Sequence, residues 1–145
     1  SVVMAELMNE SGINVSVKKV PSDGYWSAVW LKAPWCGSSW YGRPTADLQL
    51  SVAYISGAAW NETHWSNERF DNLVFEGRKT VDPGLRTEIY RDIQIMLRDE
   101  GGSVMPVFTN WLDGYSTKVK NMKGHPHGFA GWMYWEDMWL DDNNA

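Results

Sequence analysis

The chain has 145 residues, 43% of them hydrophobic, enough for one packed domain or one portion of a larger one. A net charge of −5 leaves no basic footprint for nucleic acid, and no apolar run reaches the roughly 18 residues that a membrane span needs. Ten tryptophans suit a core, an interface or a ring-lined pocket, and the single cysteine, Cys36, cannot close a bridge within the chain.

Taken in order, the first predicted element is a helix. Val3, Met4, Leu7 and Met8 share one face, and Gly12 stands where a C′ glycine ends such a turn. Ile13, Val15 and Val17 then alternate with Asn14, Ser16 and Lys18, the period of a strand with one buried face. Ser22 or Asp23 caps a second helix that carries Trp26, Val29 and Trp30 on one side and stops before Pro34. The run Trp35–Tyr41 reads as a second strand. Strand, crossover helix and strand make a βαβ unit, hence a parallel pair and an α/β fold.

The stretch W-C-G-S-S-W-Y-G-R-P-T-A-D, Trp35 to Asp47, joins that strand to a helix opening at Pro44. Trp40 and Tyr41 offer flat apolar walls with a polar edge. Gly42 lets a ligand come close to backbone, and Arg43 presents a fork of donors for carboxylate or phosphate. A strand end leading into a helix start is a common ligand position. The same residues also suit a buried aromatic turn, with Arg43 paired to a protein carboxylate such as Asp47 or Glu62.

From Thr45 a helix carries Leu48, Val52 and Ile55, and Gly57 ends it. A loop follows, A-A-W-N-E-T-H-W-S-N. Ser66 or Asn67 caps the next helix, striped by Phe70, Leu73 and Val74. Asp82 caps the clearest helix, with Pro83 at its first position and Leu85, Ile89, Ile93, Met96 and Leu97 as its stripe; Gly101 and Gly102 stop it. Val104–Thr109 reads as a strand in which Pro106 marks an edge or a bulge, and Tyr115–Val119 as one more. Loop, an aromatic segment Trp132–Leu140 and a polar tail complete the chain.

No G-x-S-x-G, H-E-x-x-H or P-loop pattern occurs, so neither catalysis nor a cofactor is expected. His125 and His127 have a spacing that suits metal. They lack an adjacent cysteine or acidic partner and read as plain loop residues, so no metal site is expected. Glu136 and Asp137 form a close carboxylate pair with no nucleophile or base beside it.

Several motifs in order carry a resemblance: G-I-N-V-S-V-K-K-V-P, the aromatic helix Tyr25–Trp30, W-Y-G-R-P-T-A-D, A-A-W-N, F-D-N-L, D-P-G-L-R-T-E-I-Y-R-D-I-Q-I-M-L-R-D-E and S-V-M-P-V-F. Together they resemble the C-terminal part of an extracytoplasmic solute-binding protein of an ABC importer, of family 5, the oligopeptide-, dipeptide- and nickel-binding type. The family's chains are several times longer, so the resemblance implies a fragment. It implies a periplasmic-binding-protein-like α/β fold of the type II, large peptide-binding class, in which two lobes close on a ligand. Residues 1–102 would be a portion of the second, ligand-binding lobe. Residues 103–145 would cross the hinge and pack an aromatic tail with Trp132, Trp135 and Trp139 on the first lobe.

The resemblance further implies a periplasmic protein, or a membrane-anchored lipoprotein, that is not an enzyme. Its partners would be a peptide or small-molecule ligand and the permease subunits, without a membrane span of its own. In many members an acidic residue shortly after the matching Trp pairs with the peptide's α-amino group. Here Arg43 stands closest, with Asp47 one helical turn on, a departure that favours a cargo with an anionic group. The expected ligand set is Trp40, Tyr41, Gly42, Arg43, Asp47, Trp60 and Asn61, the cargo lying between Trp40 and rings of the Trp60 loop. The alternative from another class is a free-standing, aromatic-rich carbohydrate-binding module, which calls for an all-β pattern and exposed rings.

Overall fold

The structure is a computed structural model and describes residues 1–110, 112–125 and 134–141. Five α-helices, a single 3-10 turn (Trp135–Asp137) and two short strands are present among them: α1 (Val2–Glu10), α2 (Tyr25–Ala28), α3 (Ala46–Ala53), α4 (Glu68–Lys79), α5 (Pro83–Glu100), β1 (Val119–Lys120) and β2 (Trp139–Leu140).

The three central helices begin where short polar side chains satisfy their first free N–H groups. Thr45 Oγ1 accepts from the Leu48 amide at 3.4 Å, Asn67 Oδ1 from Phe70 at 3.1 Å, and Asp82 Oδ1 from Leu85 at 2.8 Å. Pro83 occupies the first turn of α5, where a missing N–H costs nothing. The helix stops at Gly101, whose Cβ, if present, would lie 2.3 Å from the Leu97 carbonyl oxygen. Leu50 and Ala53 from α3, Tyr54 directly after it, Phe70 and Val74 from α4, and Ile89, Ile93, Met96 and Leu97 from α5 form the core. Phe70, Val74 and Ile93 are fully buried, each worth about 1.5–3 kcal/mol of transfer free energy.

Several expected stripes are redistributed. On α3 the buried positions are Leu50 and Ala53, while Leu48 stays exposed and Val52 and Ile55 pack only on the margin. On α5 Leu85 is exposed. Val3 and Leu7 of α1 face solvent, and Ala5 is that helix's buried residue. Helix α2 is a single turn that starts behind Gly24 at φ +98° and does not run on to Trp30.

The parallel pair is not assembled among the described residues. The segments at 13–17, 35–41 and 104–109 form no ladder there, and the strand pairing present is antiparallel, Val119 with Leu140 and Lys120 with Trp139. A strand requires a neighbour's backbone, and alternation within one segment cannot supply it. At Val15 a side chain takes that place: Asn9 Oδ1 accepts from the Val15 amide at 3.0 Å, and Asn9 Nδ2 donates to the Val15 carbonyl at 2.8 Å. Nor do the described residues show the all-β pattern of a carbohydrate-binding module. None of their helices is long and apolar enough to cross a membrane. Trp132 and His127, with much of the glycine loop and aromatic tail, lie outside the described residues; Trp135 and Trp139 are exposed.

Candidate functional site

The loop between α3 and α4 positions the site. Gly57, at φ +71°, takes the left-handed turn that leads out of α3. Asn61 then braces the loop from inside. Its Nδ2 donates to the Ile55 carbonyl at 3.2 Å and to the Trp65 carbonyl at 2.8 Å, and its Oδ1 accepts from the Thr63 hydroxyl at 2.9 Å. The side chain is 5% exposed, so the amide serves the loop and presents no free edge. The loop is pressed on the end of α5, where a Cβ at Gly102 would meet the Thr63 Cβ at 2.8 Å.

This bracing leaves Trp60 and Glu62 on the outer side. Trp60 meets Trp40 with ring centroids 5.9 Å apart and Trp30 at 6.4 Å, and Trp30 meets Trp40 at 6.5 Å. Trp26 extends the series, its ring 5.4 Å from that of Trp30. Tilted and edge-on geometries of this kind are the ones that the ring quadrupole favours. Trp40 leans on the hydrophobic core, whereas Trp60 is 43% exposed. The series therefore grades from a packed base to an open ring surface.

Under the rings lies the Glu62 carboxylate. Trp40 Nε1 donates to it at 3.0 Å, Trp30 Nε1 donates to its second oxygen, and the Ser38 hydroxyl reaches both oxygens at 2.8 Å. All of these donors are neutral, and no cation pairs with Glu62 among the described residues. Beside the cluster the Tyr25 hydroxyl donates to the Gly37 carbonyl. Desolvation first, then the neighbouring Cys36 sulfur through a hydrogen bond and the repulsion of its thiolate form, and last the nearby Glu62 charge, push the Tyr25 phenol up to about 12.

Of the residues singled out in the sequence, Trp40, Trp60 and Arg43 come together. The Arg43 guanidinium sits over the Trp60 ring, 5.9 Å from its centroid, close enough for a cation–π attraction. Arg43 is exposed and forms no ion pair among the described residues. Neither carboxylate considered as its partner is used that way. Asp47 takes a two-pronged pair with Arg78 on α4, at 3.0 and 3.1 Å from its Oδ1, and Glu62 is taken by the indoles. Asp47 thus joins α3 to α4 through an ion pair of 3.0 Å. Tyr41 and Gly42 are exposed on the run between Trp40 and Arg43.

Three contributors were missed by the reading of the sequence: Glu62 as the hub, Trp30 as the second indole donor, and Ser38. Ser38 lay inside the motif without a role, and Glu62 was weighed only as a partner for Arg43. A carboxylate two residues from a loop tryptophan, with two further tryptophans upstream, was the available signal. Spacing alone could not show that both indole N–H groups converge on it.

No protein-family model matches the chain, and no solved structure does. A curated relative, the dipeptide-binding protein DppE of Bacillus subtilis (strain 168), is 24% identical over 140 residues, which covers 93% of this chain and 25% of the relative. The chain therefore spans about a quarter of the length of the relative it matches. The alignment supports a distant relation between this chain and that binding protein, the kind of protein that its motifs resemble.

Proposed function

We propose that the chain is part of the substrate-binding component of an ABC importer. It captures a peptide or related small solute that carries an anionic group and passes it to the membrane permease. The observation that carries this reading is the open ring surface of Trp40 and Trp60 with Arg43 at its edge, in no ion pair among the described residues. Ring faces hold the body of a solute by stacking and apolar contact, and the guanidinium offers two parallel donors to a carboxylate. The distant relation to a dipeptide-binding protein supports the class of cargo. On this reading the protein acts outside the cytoplasm, and residues 1–102 belong to the second of two lobes in a periplasmic-binding-protein-like α/β fold. Residues 103–145 lead back to the first lobe. Ligand stabilises the closed form through its higher affinity for it.

The test is calorimetric titration of the full polypeptide carrying these residues with the dipeptide Ala-Phe and with its C-terminal amide. Arg43→Ala is expected to weaken binding of the free acid about tenfold, the size of one lost charge-assisted contact, and to leave the amide unchanged. Equal affinity of the wild type and Arg43→Ala for the free acid would overturn the assignment of Arg43.

A further inference from the structure

Glu62 has no evident reason to be ionisable if it only fills space. A partly buried carboxylate without a cation carries a desolvation cost that an amide or an aliphatic residue would avoid. What the charge provides is acceptor strength. Charge-assisted hydrogen bonds are roughly twice as strong as neutral ones, and here they run to two indoles and a hydroxyl on two other segments, so that three segments are joined. Trp30 follows the single turn α2, Ser38 and Trp40 lie on an irregular run, and Glu62 is in the loop between α3 and α4. Neither Trp30 nor Trp40 belongs to a helix, so backbone structure alone does not fix their rings.

We infer that Glu62 is a positioning residue for the ligand surface: by holding the indole N–H edges of Trp30 and Trp40, it sets the angle at which the ring faces are offered. This rests on the proposed role of Trp40 and Trp60 in binding. An indole held at its one polar edge can still turn about the hydrogen bond, and the ring contacts with Trp60 at 5.9 and 6.4 Å remove that freedom. The carboxylate below and the neighbouring ring beside together define one orientation, which is the preorganisation that a stacking site needs. Arg43 over Trp60 then lies at a fixed place relative to those faces.

The experiment uses Glu62→Gln and Glu62→Ala, with Trp40→Ala and Trp60→Ala as site controls, in the full polypeptide. One readout needs no ligand: nitrogen-15 spectra of the indole N–H groups, assigned through Trp30→Phe and Trp40→Phe. The other is affinity for Ala-Phe. In Glu62→Ala the Trp30 and Trp40 indole protons are expected to move to solvent-exposed positions and to exchange about tenfold faster or more. Amides of α4 and α5 should keep their protection, and affinity should fall about tenfold. Glu62→Gln, which keeps an acceptor of the same shape, should fall between the wild type and Glu62→Ala in both readouts. Indole signals unmoved by Glu62→Ala would overturn the inference whatever the ligand does. Freed indoles with unchanged affinity, while Trp40→Ala loses binding, would overturn the positioning role and leave the site reading intact. Full affinity in both tryptophan controls would overturn the site itself, and the role of Glu62 with it. Should Glu62→Ala fail to fold, the Glu62→Gln spectra decide: indole shifts and exchange identical to the wild type overturn the inference.

Discussion

Asn61 shows how an amide beside a ligand surface can serve the loop that carries it. It lies next to Trp60 in a loop, carries two donors and an acceptor, and looks available. All of that capacity is spent within the loop, on Ile55, Trp65 and Thr63, at 5% exposure. Its removal would leave the half-buried Trp65 carbonyl without its side-chain donor and the Thr63 hydroxyl without its acceptor, while the Ile55 carbonyl keeps the Ala58 amide at 3.1 Å; an unsatisfied group of this kind costs about 1–3 kcal/mol. Asn61→Ala is expected to lower the unfolding free energy by about 2–3 kcal/mol in urea titration and to free the Trp60–Glu62 loop. Any loss of binding in this variant should follow from that loosening, and a stabilising osmolyte should restore part of it. Loss of binding at unchanged stability would instead make Asn61 a contact residue. Asp47 teaches the same lesson at the surface, since its two-pronged bond to Arg78 leaves little of the carboxylate for a cargo.

Among the described elements, helices α4 and α5 share the most extensive contact, and a glycine permits a close approach within it. A Cβ at Gly77 would lie 3.1 Å from Tyr90 Cε2 and 3.2 Å from Ile89 Cγ2. A glycine in a helix interior costs about 1 kcal/mol relative to alanine, so Gly77→Ala gains propensity and loses fit. Ile89 is buried and has little room to yield, and the half-buried Tyr90 ring, with the Arg86 guanidinium 5.7 Å from its centroid, would have to shift away from α4. Fit is expected to win: Gly77→Ala should destabilise by about 1 kcal/mol and Gly77→Val by about 2–3 kcal/mol, measured as shifts in the thermal midpoint. A stabilised Gly77→Ala would show that Tyr90 swings away at little cost. This pair also marks what the sequence made legible. Asn67, Asp82, Pro83 and Gly101 act on their own helix within one turn, so the bounds of α4 and the start and stop of α5 could be read locally. Which residues of α3 are buried depends on what α4 presents to it, and the expected stripe through Leu48 missed the Leu50–Ala53 face. The ring surface was half legible for the same reason. Residue type pointed to Trp40, Trp60 and Arg43, while the convergence on Glu62 depends on contacts between residues 22 to 32 apart in sequence.

At the scale of the whole molecule, the described residues divide into a packed three-helix core and extended segments that bring apolar side chains to the surface. Val104, Met105, Val107 and Phe108 are between 54% and 93% exposed, and Ile13, Val17 and Val20 between 37% and 53%. Alternating or continuous apolar residues in extended backbone are costly to leave in water, and their free N–H and C=O groups seek a ladder. On the two-lobe proposal these segments pair with the remaining polypeptide, which the chain's coverage of about a quarter of its relative leaves room for. The consequence can be measured by amide hydrogen exchange on the 145-residue chain and on the longer polypeptide that carries it. In the short chain, amides of residues 16–20 and 104–110 should exchange close to the rate of unstructured peptide, while those in the middle of α4 and α5 approach the global stability. In the longer polypeptide the two segments should gain at least a hundredfold protection, the signature of ladder hydrogen bonds in a covered sheet. Protection already present in the short chain would mean that these segments find their partners within it. Absence of protection in the longer polypeptide would remove the sheet on which the two-lobe arrangement depends, and leave the ring surface around Glu62 to be explained as the site of a smaller, helical binding unit.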